Sequence, residues 1–256
     1  MTLVETLLVV ATGLGAGVLS STVGVASLLS FPVLVALGLP PVVANVSNTL
    51  GLIPGGLGGV LGYRAEVREA GPIALRIVVV CALGAVLGAA LLLGLPPGVF
   101  EAIVPWLILF TCLLVGVQPR IAAWLRARHE QQHGAQMAER RHMSPATTAC
   151  ATVTGVYGGY FGAGAGVMMV AVLGLGTDLE LRVVNGLKTL ALMVGNIVAG
   201  LIFIVVADPR WDVVGLLAAG SLVGGYVGAR IGRKLPDGVF RWAVVAAVIV
   251  AALLLF

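Results

Sequence analysis

The sequence predicts an all-α polytopic membrane protein of two inverted repeats, each a re-entrant helical hairpin plus three transmembrane helices. Three observations predict it. The 256 residues are 59% hydrophobic and only 10% charged, with a mean hydropathy of +1.09, whereas soluble domains carry about 25% charged residues. Motifs of the first half return in the second at a nearly constant spacing. The basic loop residues gather on one side of the membrane only if each half crosses an odd number of times.

The apolar segments fall at 3–37, 42–63, 73–94, 102–118, 145–177, 183–206, 213–229 and 239–256. No charged residue lies between Glu5 and Arg64, or between Arg141 and Asp178. A spanning helix needs about 20 apolar residues, so these runs read as spans. The 36 glycines are about twice the usual share and suit helices that approach closely or break in a bilayer. One long polar stretch, 119–143, separates a first repeat at 1–118 from a second at 144–256. Its opening, Arg120 to Arg128 around Trp124 and Leu125, predicts an interfacial amphipathic turn.

Leu95-Pro96-Pro97-Gly98-Val99-Phe100 returns 140 residues later as Leu235-Pro236-Asp237-Gly238-Val239-Phe240. Asn45-Val46-Ser47-Asn48-Thr49-Leu50 matches Asn185-Gly186-Leu187-Lys188-Thr189-Leu190 at the same offset. Thr12-Gly13 and Gly17 match Thr154-Gly155 and Gly159 at an offset of 142, and Leu87-Gly88-Ala89 is weakly echoed by Val227-Gly228-Ala229. Repeats of this kind are typical of secondary transporters.

Eight plain crossings would strand Arg182, Arg230, Arg233, Lys234 and Arg241 on the side opposite the remaining loop arginines. The first segment of each half is long, however, and interrupted, by Ser20-Ser21-Thr22-Val23-Gly24 and by Gly162-Ala163-Gly164-Ala165-Gly166. If each folds into a re-entrant hairpin, its arms are about 12–17 residues, roughly 18–25 Å, too short to cross comfortably. Each half then crosses three times and the repeats are inverted. Both termini lie outside, and the loops at 64–76, 119–143, 178–182 and 230–241 lie in the cytoplasm with every loop Lys and Arg except Arg210. The N-terminus has no basic leader, which predicts no cleavable signal peptide.

Non-helical backbone at membrane depth survives only where protein or a water-filled cavity satisfies it. The two tips therefore predict a midplane cavity, and the half-helix after each tip presents amides and a positive dipole end to an anion. The candidate substrate contacts are Ser20, Ser21, Thr22 and Gly24 at the first tip and Gly162, Gly164 and Gly166 at the second. The alternative is that these small residues only let helices pack closely. The second long segment of each half adds a polar helical face: Asn45, Asn48 and Thr49 in one, Asn185, Lys188 and Thr189 in the other. Lys188 is the one ionisable residue well inside an apolar segment, which marks it as functional unless it snorkels to the surface near Arg182. Inversion puts Asn48 in the equivalent place.

Other classes find little support. The net charge of +4 and pI near 9.3 follow from topology rather than nucleic-acid binding. Cys81, Cys112 and Cys150 lie in apolar runs without metal or disulfide spacing. The acids lie at segment ends or in loops, and His129, His133 and His142 in the central polar stretch. No His-Glu-x-x-His, Walker sequence or intramembrane histidine is present, so neither an enzyme nor an ATP-driven pump is expected, and no metal or cofactor.

Taken in order, Gly13-Leu14-Gly15-Ala16-Gly17, Phe31-Pro32 and Ala44 to Thr49, then Gly155 to Gly166, Asn185 to Thr189 and Gly224 to Gly232 resemble the sulfite exporter TauE/SafE family. The resemblance covers nearly the whole chain apart from 119–143. It implies transport of sulfite or an organosulfonate in a bacterial inner membrane, with Ser20-Ser21-Thr22-Val23 standing where a denser glycine run is usual. The expected function is alternating-access transport of such an anion, with export favoured. A passive anion channel and an uptake permease for a related carboxylate or sulfonate are the alternatives, and homo-oligomerisation is left open.

Overall fold

The structure, a computed structural model, describes residues 1–133 and 142–231, which form helices and no strand. In order they are α1 (Leu3–Thr22), α2 (Ala26–Ala36), α3 (Pro41–Gly62), α4 (Arg64–Glu69), α5 (Pro72–Gly94), α6 (Pro97–His133), α7 (Pro145–Tyr160), α8 (Ala165–Gly176), α9 (Leu181–Val206) and α10 (Trp211–Ile231). The starts follow local chemistry. Thr2 and Glu5 close a capping box on α1, and α3, α5, α6 and α7 each begin with proline, whose missing N–H costs nothing there. Five helices (α1, α5, the 97–121 part of α6, α9 and α10) are long and apolar enough to cross a membrane. The protein is a multi-pass membrane protein.

Both long segments break as expected, with two adjustments. The first break falls at Val23–Val25, with Gly24 at φ +87°, a conformation glycine alone adopts cheaply. Ser20, Ser21 and Thr22 therefore lie in the last turn of α1, not in the break. The arms are also unequal: α1 has 20 residues, about 30 Å and long enough to cross, against 11 in α2. The second hairpin keeps to the expected lengths, 16 and 12 residues, breaking through Gly162 and Gly164 at φ +80° and +78°. Gly166 belongs to the first turn of α8. The expected interfacial turn after Pro119 is instead a continuation of α6, which runs to His133. Leu235 to Phe240, segment 239–256, residues 134–141, and Arg233, Lys234 and Arg241 lie outside the described residues.

Glycine contacts set the helix directions. α1 runs parallel to α10, with Gly13 on Leu217, Gly17 on Ser221 and Gly225, and Val18 on Gly228. α3 runs parallel to α10 through Gly51 on Leu217, Gly55 on Ser221 and Gly62 on Ala229. α5 runs parallel to α7 through Gly84 on Gly155 and Gly88 on Gly159. α3 and α9 are antiparallel, since Gly200 meets Leu50 while Gly59 meets Thr189 and Gly186 meets Glu66. Corresponding helices of the two halves (α1 and α7, α3 and α9, α5 and α10) thus point in opposite directions. Each half also lends its first helix to the other.

That exchange is repeated atom by atom. A Cβ on Gly84 would meet Thr152 O at 2.5 Å, Gly155 C at 2.8 Å and Val156 N at 2.8 Å; on Gly220 it would meet Val10 O at 2.2 Å, Gly13 C at 3.1 Å and Leu14 N at 2.7 Å. Gly88 and Gly224 likewise face Val156 O and Leu14 O, each at 2.1 Å. The contacts therefore pair Gly88 with Gly224, one helical turn before the Gly228 that the sequence echo suggests. Packing against an equivalent backbone, not identity of neighbouring residues, defines the match.

Among the described residues, the polar stretches around Glu69, Ile121, Met143 and Arg182 meet at one end. Arg182 bonds Glu69 through two contacts of 2.9 and 2.8 Å, and Ile73, Met143, Val183 and Ile121 share one apolar cluster. Gly62 on Ala229 brings the end of α10 to the same place. Arg210 lies at the opposite end, its backbone N–H on Ser47 Oγ at 3.0 Å. Outward faces are apolar (Leu83, Leu87, Trp106, Leu113, Leu201), as lipid contact requires.

Candidate anion site at the helix breaks

The two breaks touch. A Cβ on Gly166 would stand 2.5 Å from Gly24 Cα, and one on Gly24 would stand 2.7 Å from Gly166 Cα and 3.2 Å from Lys188 Cδ. The first turn of α8 thus abuts the end of α1, beside Lys188. Lys188 is 0% exposed, so it does not snorkel. Its Nζ donates to Thr22 O at 2.8 Å and Ser21 O at 3.1 Å, two of the carbonyls that a helix C-terminus leaves unsatisfied. The negative end of the α1 dipole favours a cation there. An ammonium has three donors, and these bonds use two. Among the described residues no carboxylate pairs with it.

The structure therefore brings Ser21, Thr22, Gly24, Gly166 and Lys188 to one point. The hydroxyls are already committed as donors: Ser21 to Gly225 O at 2.8 Å, Thr22 to Val18 O at 2.7 Å, Thr49 to Asn45 O and Thr189 to Asn185 O, both at 2.9 Å. Each has a single proton, so in this conformation these four hydroxyls have none left for an anion, and the donors beside Gly24 and Gly166 are amides and the ammonium. Ser20 is buried in the last turn of α1 and Asn185 half-buried one turn before Thr189.

The other candidates sit elsewhere. Asn48 is not the counterpart of Lys188 in its contacts: its Oδ1 accepts from Ser30 at 2.5 Å and its Nδ2 donates to Ser27 at 3.0 Å, which fastens α2 to α3 within one half. Asn45 reaches the second break and donates to Tyr160 O at 2.9 Å. Gly162 and Gly164 shape that break, and Gly164 packs on Thr111, where an added Cβ would lie 2.9 Å from Cγ2.

Thr111, Tyr157, Ser27 and Ser30 were not legible as site residues. Tyr157 donates to Ala163 O at 2.6 Å, and Thr111 Oγ1 lies 2.9 Å from the same oxygen. Thr111, whose one proton also has Leu107 O within 2.8 Å, brings α6 against the buried Ala163 carbonyl of the second break, and its only sequence signal is a lone hydroxyl between Phe110 and Cys112 in an apolar span. A cavity of about 20 Å³, room for one water, lies between α5, α7, α8 and α9, lined by Cys81, Thr154, Gly158, Gly162, Ala165 and Asn196 among others. It opens beside the second break only, not between the two.

Comparison with known proteins points to a membrane transporter. The family model described as Sulfite exporter TauE/SafE matches residues 9–255. A "Probable membrane transporter protein ORF9" from Sinorhizobium sp is 28% identical over 223 residues, covering 84% of this chain and 78% of that protein. No solved structure matches. With two broken, mutually touching helical hairpins inside a glycine-packed bundle, and a family match over nearly its full length, the chain is a membrane transporter that belongs to the sulfite exporter TauE/SafE family.

Proposed function

We propose that the protein carries a small anion, sulfite or an organosulfonate, outward across a bacterial inner membrane by alternating access between two inverted repeats. The carrying observation is Lys188: a fully buried ammonium bonded to two carbonyls, with no carboxylate partner among the described residues. An unpaired buried charge is expensive, and an anion is the natural complement. The first turn of α8, against Gly24, adds a positive dipole end on the same side. An inside-negative potential supplies about 2.3 kcal/mol per charge per 100 mV toward anion exit.

The opposed directions of matching helices support inversion, and backbone contact between the breaks favours a gated carrier over a continuously open channel. Lys188→Met keeps the bulk of the side chain and removes its charge. Sulfite and sulfonates are expected to raise the thermal midpoint of the wild-type protein and to lose at least tenfold in apparent affinity in the variant; equal affinity removes Lys188 from the site.

The meeting of the polar stretches around Glu69, Ile121, Met143 and Arg182 at one end supports a cytoplasmic 119–143 stretch with both termini outside. Labels at both termini are expected to react with a membrane-impermeant reagent on intact spheroplasts, and a label in 119–143 is expected to stay protected. A protected terminus sinks this topology.

A further inference from the structure

A buried acceptor at the end of α7 has no donor. Asn45 is 1% exposed, and its Nδ2 donates to Tyr160 O at 2.9 Å. A carbonyl oxygen only accepts, so this bond fixes the amide orientation. Asn45 Oδ1 is then left unpartnered, and the hydroxyl of the same Tyr160 is the other buried side-chain atom without a partner among the described residues. Native interiors pair the great majority of such atoms.

Tyr160 is the last residue of α7, so its carbonyl belongs to the negative end of that helix dipole. The matching end of α1 is finished differently. There Ser21 O and Thr22 O receive the ammonium of Lys188. Both ends are reached by the long second helix of the opposite half, α9 for α1 and α3 for α7. One delivers a cation; the other delivers a neutral amide with an open oxygen. Helix C-terminal carbonyls and amide oxygens are hard ligands of the kind that hold Na⁺ in transporters built around broken helices. The described residues offer no cluster of three His, Cys, Asp or Glu, which suits a monovalent rather than a divalent ion.

We propose that the end of α7, with Asn45 Oδ1 as a ligand, binds a monovalent cation that plays the part taken at the end of α1 by the Lys188 ammonium. The protein then carries one tethered cation and one exchangeable one. Binding does not require the anion-transport reading and is measured without substrate. The thermal midpoint of the purified protein is followed as NaCl replaces choline chloride at constant chloride and ionic strength. The expected result is a saturable rise, about 3 °C at about ten times the dissociation constant, absent in Asn45→Ala.

Because Asn45→Ala also removes the bond to Tyr160, Tyr160→Phe serves as the second variant. It keeps the backbone carbonyl and ring and deletes the orphaned hydroxyl, and its half-saturating Na⁺ is expected to rise several-fold. Identical wild-type midpoints in Na⁺ and choline overturn the proposal and assign the open oxygen to an ordinary buried water. A Na⁺ response that survives unchanged in both variants also overturns it, by locating the ion elsewhere.

Discussion

Gly225→Ala is expected to destabilise the protein by about 3 kcal/mol, while Gly215→Ala on the same helix leaves it as stable or slightly more so. The new Cβ at Gly225 would stand 2.0 Å from Gly55 O, 2.7 Å from Gly55 C and 2.9 Å from Gly55 Cα, all backbone atoms that no rotamer change can move. Relief requires α3 and α10 to separate, and α1 rides on the same α10 surface through Gly17, whose Cβ would meet Ser221 O at 2.4 Å and Gly225 N at 2.7 Å. At Gly215 no atom lies within 4 Å of the added Cβ, and alanine is a better helix former by up to about 1 kcal/mol. Thermal midpoints in detergent read the difference: a drop of about 10 °C for Gly225→Ala and no drop for Gly215→Ala. Equal midpoints would mean that the three helices are not in backbone contact.

Lys188→Glu is expected to disrupt the first break, not merely the binding of an anion. A carboxylate only accepts hydrogen bonds. It would replace the donor now bonded to Ser21 O and Thr22 O and set a negative charge against the negative end of α1. A buried charge left facing its own sign typically costs about 3–5 kcal/mol. The capping of α1 by Lys188 thus gives the glutamate variant a folding cost that loss of an anion contact alone would not. Lys188→Met, which loses the bonds without adding a charge, is expected to retain most of the helical structure. Circular dichroism and size-exclusion behaviour of the two variants separate these outcomes. A well-folded Lys188→Glu with wild-type stability would show that the bonds to Ser21 and Thr22 contribute little.

Much of the candidate site was legible because membrane residence makes polarity rare. In a span, Lys188, Asn45 and Asn48 stand out against an apolar background, and all three prove to be buried and bonded. Hydroxyls did not stand out in the same way. Ser21 and Thr22 read as donors to a ligand, yet Thr22 returns its proton to the Val18 carbonyl one turn back in its own helix, and Ser21 gives its proton to the Gly225 carbonyl of the adjacent α10. Thr111 and Ser30 were missed for the complementary reason: a single hydroxyl in an apolar run signals nothing until a neighbouring helix brings it an acceptor.

Class, helix content and the two breaks followed from composition and periodicity, since the bilayer imposes them on any chain that must span it. Partnership did not. Only the tertiary structure decided that each half lends its first helix to the other, that Gly24 meets Gly166, and that Lys188 caps α1 while Asn45 reaches α7 with an oxygen unpaired. A repeat in sequence records which residues are equivalent, but glycine has no side chain with which to specify what it faces. Its contacts are set by how closely two backbones can approach, and that distance exists only once the helices are packed.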